Sequence, residues 1–168
     1  MKTGFIYLGL ILCLGLLLRL PYLDFPSIGH HNMKENEYIS MAKEMLRTRD
    51  FINRRVYFYN GLEKGPGFMK LYPQIPLVSY QIILAWKLFG NNLWVPRLIN
   101  ILFMLGSIIS VYHIAKILTK DKSLALLSSA LMGIMPLGVF FSRNLQPESP
   151  AFFFMLLGSL FYLKFISS

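Results

Sequence analysis

The chain has 168 residues, 55% of them hydrophobic and only 15% charged, with a formal charge of +9. Fourteen phenylalanines and nine tyrosines make it too apolar for an ordinary soluble domain, so lipid is the solvent the composition points to. The seventeen Lys and Arg form no run of five or six, which argues against a nucleic-acid partner, and the single cysteine, Cys13, allows neither an intrachain disulfide nor a cysteine metal site.

Residues 5–20 are almost wholly apolar and follow Lys2. No A-x-A cleavage site comes after them; Arg19, Leu20 and Pro21 close the run instead. The expectation is a retained signal-anchor helix, residues 1–22, rather than a cleaved signal peptide. Composition then changes: residues 24–72 hold six of the eight acids (Asp24, Glu35, Glu37, Glu44, Asp50, Glu63) and eight bases. Asn32-Met33-Lys34-Glu35 has the N-cap and N3 residues of a capping box, and Tyr38, Met41, Ala42 and Met45 recur at helical spacing. Together they predict an amphipathic helix over 33–47. Residues 56–59 are β-prone, and Asn60-Gly61 and Gly65-Pro66-Gly67 mark turns.

Residues 77–89 form an apolar stretch too short for a span, with Trp86 and Lys87 near its end, and are expected to lie along the membrane surface. After Gly90-Asn91-Asn92, three longer stretches at 96–118, 123–141 and 150–166 read as spans two, three and four. The expected fold is therefore all-α and integral to the membrane. It has about four transmembrane helices and a structured extracytoplasmic first loop, residues 23–95, with amphipathic and interfacial helices; residues 96–168 carry the three further spans. Lys116, Lys120, Lys122 and Lys164 at the cytoplasmic ends agree with that orientation. The eight Lys and Arg of the large loop, against a lone Lys2, oppose it, although a loop of this length is near the limit where charge counting applies.

Two constellations carry candidate chemistry. The first, Gly29-His30-His31-Asn32-Met33-Lys34-Glu35-Asn36-Glu37-Tyr38, crowds acids, imidazoles and an aromatic just outside the first span. A carboxylate against apolar surface has its pKa raised, and a neighbouring cation brings it back, which suits a general base. Glu35 has an alternative role as the N3 residue of the capping box. Glu37 has no such role and lies roughly 200° around the helix from it. His30 and His31 are candidate ligands for a divalent metal, the one cofactor considered, with hydrogen bonding at the helix N-terminus as the alternative. The second constellation is Ser142-Arg143-Asn144-Leu145-Gln146-Pro147-Glu148-Ser149-Pro150, a polar hinge between apolar segments. Charged groups at membrane depth usually mark a site or a pair; the alternative for Glu148 is to complement the dipole of span four. Two spans separate hinge and loop, so both are expected on one face, where their acids would share a cavity. Arg54, Arg55, Lys70, Arg97 and Arg143 are candidate phosphate ligands. No P-loop pattern is present.

The order of these features resembles the C-type glycosyltransferases, specifically the protein-mannosyltransferase and aminoarabinose-transferase-like branch (glycosyltransferase family 39-like). The resemblance covers nearly all of this chain and the N-terminal third or so of such an enzyme. Glu35, Tyr38, Glu44 and Met45 are placed like the branch's acidic pair, tyrosine and Glu-Met. Residues 74–80 look like its Pro-Pro-Leu segment, residues 90–100 like its Phe-Gly and Arg-Leu lead into span two, and residues 142–148 like a Ser-Arg-x-x-Gln-Pro-Glu stretch. The resemblance implies inverting transfer of a sugar from a polyprenyl-phosphate donor to a glycan, lipid or protein acceptor, at the outer face of the plasma (inner) membrane. It implies catalytic roles for Glu37, Glu35 and Glu148, and substrate or phosphate contacts for Arg54, Arg55, Arg143, Lys34, Tyr38 and Gln146. Lys34 stands where the best-known members have Asp, which moves the base to Glu35 or Glu37. Glu37 matches the Asp of relatives with the Gln-Pro-Glu loop. Gln74 replaces a Glu of some relatives, which weakens a metal site there. The alternative is a truncated or non-catalytic membrane subunit that binds lipid phosphate or a partner.

Overall fold

The computed structural model describes residues 2–27, 33–52, 55–58, 68–71 and 75–167. It divides into two compact units, one of Met1–Leu23 with Arg97–Ser168 and one of Asp24–Pro96. The described elements are α1 (Lys2–Leu17), α2 (Met33–Thr48), β1 (Arg55–Phe58), β2 (Phe68–Leu71), α3 (Leu77–Phe89), α4 (Trp94–Thr119), α5 (Lys122–Ile134), α6 (Pro136–Ser142) and α7 (Glu148–Ser167).

In the first unit α1 packs on α5, where Leu8, Tyr112 and Ala125 form a buried cluster joined by Leu12, Ala115 and Leu126. Two glycines permit the close approach. A Cβ on Gly15 would lie 3.4 Å from Ile108 Cδ1, and one on Gly133 would lie 3.5 Å from Ile11 Cγ2. On the other side α4 meets α7 through tilted rings, Phe103 lying 5.6 Å from Phe153 and 5.7 Å from Phe154. The tight turn between α4 and α5 puts Lys120 at φ 57°, and Asp121 caps α5 by accepting the Ser123 N–H at 2.7 Å.

Two elements differ from the sequence reading of this unit. The first helix stops at Leu17, and its 16 residues reach only about 24 Å at ~1.5 Å per residue, short of a ~30 Å hydrocarbon core. Pro21 disfavours helical backbone at Leu20, and Arg19 turns inward instead of marking a polar boundary. The stretch read as one span over 123–141 is two helices, α5 and α6, bent by 57°. Pro136 starts α6; it has no N–H to return to the preceding turn, and its ring excludes continuous helix. By length and composition, α4 and α7 are long and apolar enough to cross a membrane, and α5 with α6 makes a third span if the bent pair is counted as one. About four were expected.

The second unit is not all-α. Strands β1 and β2 pair antiparallel, with Arg55 opposite Leu71 and Phe58 opposite Phe68, so the β-prone residues 56–59 fall largely in a hairpin that lies against α2. Helix α2 buries Tyr38, Ile39, Met41, Ala42 and Met45 on one face and packs on α3, whose Ser79 Oγ donates to the Tyr38 carbonyl at 3.1 Å. Helix α3 buries Val78, Ile82, Ile83, Ala85 and Trp86. Its other side exposes Leu77, Tyr80, Leu84 and Leu88, a second apolar stripe at helical spacing. Gly90, at φ 85°, closes the helix with its N–H on the Trp86 carbonyl.

Candidate functional site

The hinge between α6 and α7 is held from two sides within its unit. From α4, the fully buried Asn100 donates through Nδ2 to the Asn144 carbonyl at 2.6 Å and the Gln146 carbonyl at 3.2 Å. From the end of α1, the fully buried Arg19 donates through Nε to Ser142 Oγ at 3.0 Å, and through Nη1 to the Gly15 and Gly133 carbonyls at 2.8 Å each. The Gly133 carbonyl sits at the end of α5, where the bend takes away its regular helical donor, so Arg19 supplies the bond that the helix break removes. Ser142 Oγ both accepts from Arg19 and donates to the Val139 carbonyl at 2.9 Å.

Arg143 is half-buried and donates to the Pro21 carbonyl at 3.3 Å. Gln146 is buried. Glu148 is exposed and is the first residue of α7, where its charge complements the helix dipole. Beside the hinge is a cavity of about 410 Å³. Met104, Met132, Met135, Phe141, Phe152 and Met155 give it an apolar wall, and Glu148 and Ser149 give it a polar edge.

In the other unit α2 presents the acids. Glu35 is fully buried and accepts the Ser27 hydroxyl at 2.6 Å, while Glu37, on a different side of the helix, is partly accessible. Glu44 is buried and takes both Nε and Nη2 of Arg47, at 2.8 and 2.6 Å. Tyr38 and Met45 belong to the packed face, so the tyrosine ring lies in the core of its unit; Lys34 is exposed. Arg97, at the start of the first unit's share of α4, is buried and donates to the Leu23 carbonyl at 2.6 Å. That contact ties it to backbone rather than presenting it to solvent. His30, His31, Asn32, Arg54 and Gln74 lie outside the described residues, and for Arg55 and Lys70 only the strand backbone is described. Among the described residues no cluster of three His, Cys, Asp or Glu has the geometry of a metal site.

Sequence reasoning gave no site role to Arg19 or Asn100. The signal available for Arg19 was a guanidinium closing an apolar run, which at membrane depth calls for a buried partner. Asn100, a lone amide within a long apolar stretch, carries the same signal more weakly.

A family model described as dolichyl-phosphate-mannose-protein mannosyltransferase matches residues 72–168. A protein of Aquifex aeolicus (strain VF5), called "Uncharacterized protein", is 26% identical over 152 residues, covering 86% of this chain and 28% of that relative. The chain therefore spans little more than a quarter of that relative's length. No solved structure gives a significant match.

Proposed function

Because the chain belongs to the dolichyl-phosphate-mannose-protein mannosyltransferase family, we propose that it takes part in transferring a sugar from a polyprenyl-phosphate donor to an acceptor hydroxyl, with inversion, at the extracytoplasmic face of the plasma membrane. The family match carries this reading. It runs through α3 to α7 and includes the hinge that bears Arg143, Gln146 and Glu148. In the reaction a carboxylate takes the proton of the acceptor hydroxyl. The acceptor oxygen attacks the anomeric carbon, the bond from that carbon to the phosphate oxygen breaks, and the polyprenyl phosphate leaves with its charge met by cations.

Glu37 is the preferred base. Glu35 is fully buried and engaged by Ser27, whereas Glu37 is accessible to an acceptor. Glu148 orients the acceptor. Arg54, Arg55, Arg143, Lys34 and Gln146 are the candidates for donor and phosphate contacts, Tyr38 being packed in the core of its unit, and a divalent cation at His30 and His31 is not required by the step. The exposed stripe of α3, Leu77, Tyr80, Leu84 and Leu88, supports an interfacial position for that helix.

The test is incorporation of labelled sugar by the full natural reading frame in membranes. Glu37→Gln is expected to lower turnover by about 10²-fold or more, in line with general-base contributions. Glu35→Gln retains an acceptor for the Ser27 hydroxyl and is expected to cost about tenfold or less. Unchanged turnover in both single variants and in the double variant overturns the assignment. Sidedness is read in a Cys13→Ser background by labelling Glu37→Cys in intact cells, where modification by an impermeant maleimide is the expected result.

A further inference from the structure

We propose that Arg19 Nη2 and Ser149 Oγ hold the phosphate of a lipid whose hydrocarbon lies in the methionine-lined cavity beside the hinge. This deepens the proposed function by naming residues that hold the lipid phosphate, and it rests on that reading for the choice of headgroup.

Among the described residues, the buried side-chain polar atoms without a partner are Arg19 Nη2, Asn144 Nδ2 and Ser149 Oγ. All three belong to this hinge or are bonded to it. Buried polar groups in folded proteins are nearly always satisfied, and an unsatisfied one asks for a missing partner. Two of the three can only donate, so they ask for an acceptor. The charge agrees. The hydrogen bonds of Arg19 and Arg143 all go to neutral oxygens. Guanidinium charge bonded to neutral oxygens draws an anion to Arg19, with the Glu148 carboxylate at the cavity's edge as the opposing charge.

The cavity lies on the same side. The space that a Cβ would take at Gly138 is bounded by Met135 Cε at 3.6 Å, Arg19 Nη2 at 3.8 Å and Met104 Cε at 3.9 Å. Gly138, Met135 and Met104 all line the cavity. Only the missing side chain of Gly138 and two flexible thioether ends stand at that wall, and methionine repacks readily around a ligand. Ser149, with its orphan hydroxyl, lines the cavity as well. An anion alone would leave the apolar wall unused, and a hydrocarbon alone would leave the donors unanswered. A phosphate on a hydrocarbon chain answers both.

The experiment titrates the full-length natural protein, in neutral detergent, with farnesyl monophosphate, farnesol and dihexanoyl phosphatidic acid, followed by native mass spectrometry. Farnesyl monophosphate is expected to bind about tenfold or more tighter than farnesol. Ser149→Ala is expected to weaken the phosphate by about 3- to 10-fold. Gly138→Ala is expected to weaken it by about tenfold, since an anion must come to ~2.9 Å of Nη2 and the new methyl group would stand in its path. The methyl's contacts of 3.6–3.9 Å are ordinary packing, and the Ser149 hydroxyl has no partner to lose, so both variants should melt like the parent protein.

Preference for the isoprenoid phosphate identifies the sugar donor as the source, and equal or tighter binding of phosphatidic acid identifies a bilayer phospholipid; either supports the site. Equal affinity for phosphate and alcohol, or parental affinity in both variants, overturns it. Sugar transfer measured on the same preparations separates the two readings. Transfer that persists and still depends on Glu37, with no phosphate preference, ends this proposal and leaves the proposed function standing.

Discussion

Replacing Asn100 tests how the hinge is held. Its amide reaches two hinge carbonyls, at 2.6 Å on Asn144 and 3.2 Å on Gln146, from a fully buried position. The Asn144 carbonyl also receives the Gln146 N–H at 3.0 Å, so Asn100→Ala costs it one of two partners, about 1 kcal/mol net. The Gln146 carbonyl loses one hydrogen bond as well, again about 1 kcal/mol net. The sum is roughly 2 kcal/mol, which for a chain of this size lowers the melting temperature by about 4–8 °C. Asn100→Asp should be worse than alanine, because it sets a carboxylate with no donor against two carbonyl oxygens. Circular dichroism at 222 nm during heating in detergent measures both, with the exposed Asn91→Ala as a control that should shift by less than ~0.5 kcal/mol. A shift under about 2 °C in Asn100→Ala, or an aspartate variant as stable as the alanine one, refutes the claim that this amide pins the hinge as a donor.

Ser142→Ala removes the acceptor of a buried guanidinium N–H, and is expected to cost about 1.5–3 kcal/mol in the same melt; Arg19→Met should cost less in that background than in the parent, since the two share a bond. The glycines of the membrane helices should divide sharply. Gly106→Ala places a Cβ 2.5 Å from Phe153 Cε2 and should destabilise by about 1–3 kcal/mol through overpacking, whereas Gly158 has nothing within 4 Å and its alanine variant should be neutral or gain up to ~1 kcal/mol. Equal melting temperatures for Gly106→Ala and Gly158→Ala would sink the packing account of α4 against α7.

Elements bounded by local signals were legible in the sequence. Helix α3 runs from Leu77 to Phe89 as expected, because Pro76 and Gly90 punctuate both ends. Helix α2 begins at Met33 as its periodicity predicted, and runs one residue beyond the expected end. Elements decided by distant partners were not legible. The helix over 123–141 was read through Pro136 because the apolar run outweighed the breaker, and what makes the break tolerable is Arg19, 123 positions from Ser142 in the chain. The same distance hid the true end of α1. For the site, hydrophobic pattern identified the hinge as a polar interruption but gave no hint that Arg19 and Asn100 hold it. The contrast between Glu35 and Glu37 was half visible: helical geometry separated them, and only the Ser27 contact shows how Glu35 is occupied.

The bend, the buried arginine and the hinge depend on one another. A helix broken at membrane depth exposes carbonyls that neither lipid nor the next turn can answer. The break between α5 and α6 frees the Gly133 carbonyl, and Arg19 answers it. A guanidinium that did only this would be an expensive cap, since burying a charge costs several kcal/mol unless it is well bonded. Its Nε on Ser142 carries the same side chain to the far end of α6, one residue before Arg143, and leaves Nη2 beside Gly138, 3.8 Å from where a Cβ would stand. Arg19 thus spans the whole of α6 and fixes where the hinge begins, while Asn100 fixes where it goes. The hinge lies inside the family match that starts at residue 72, and the acids of α2 precede it.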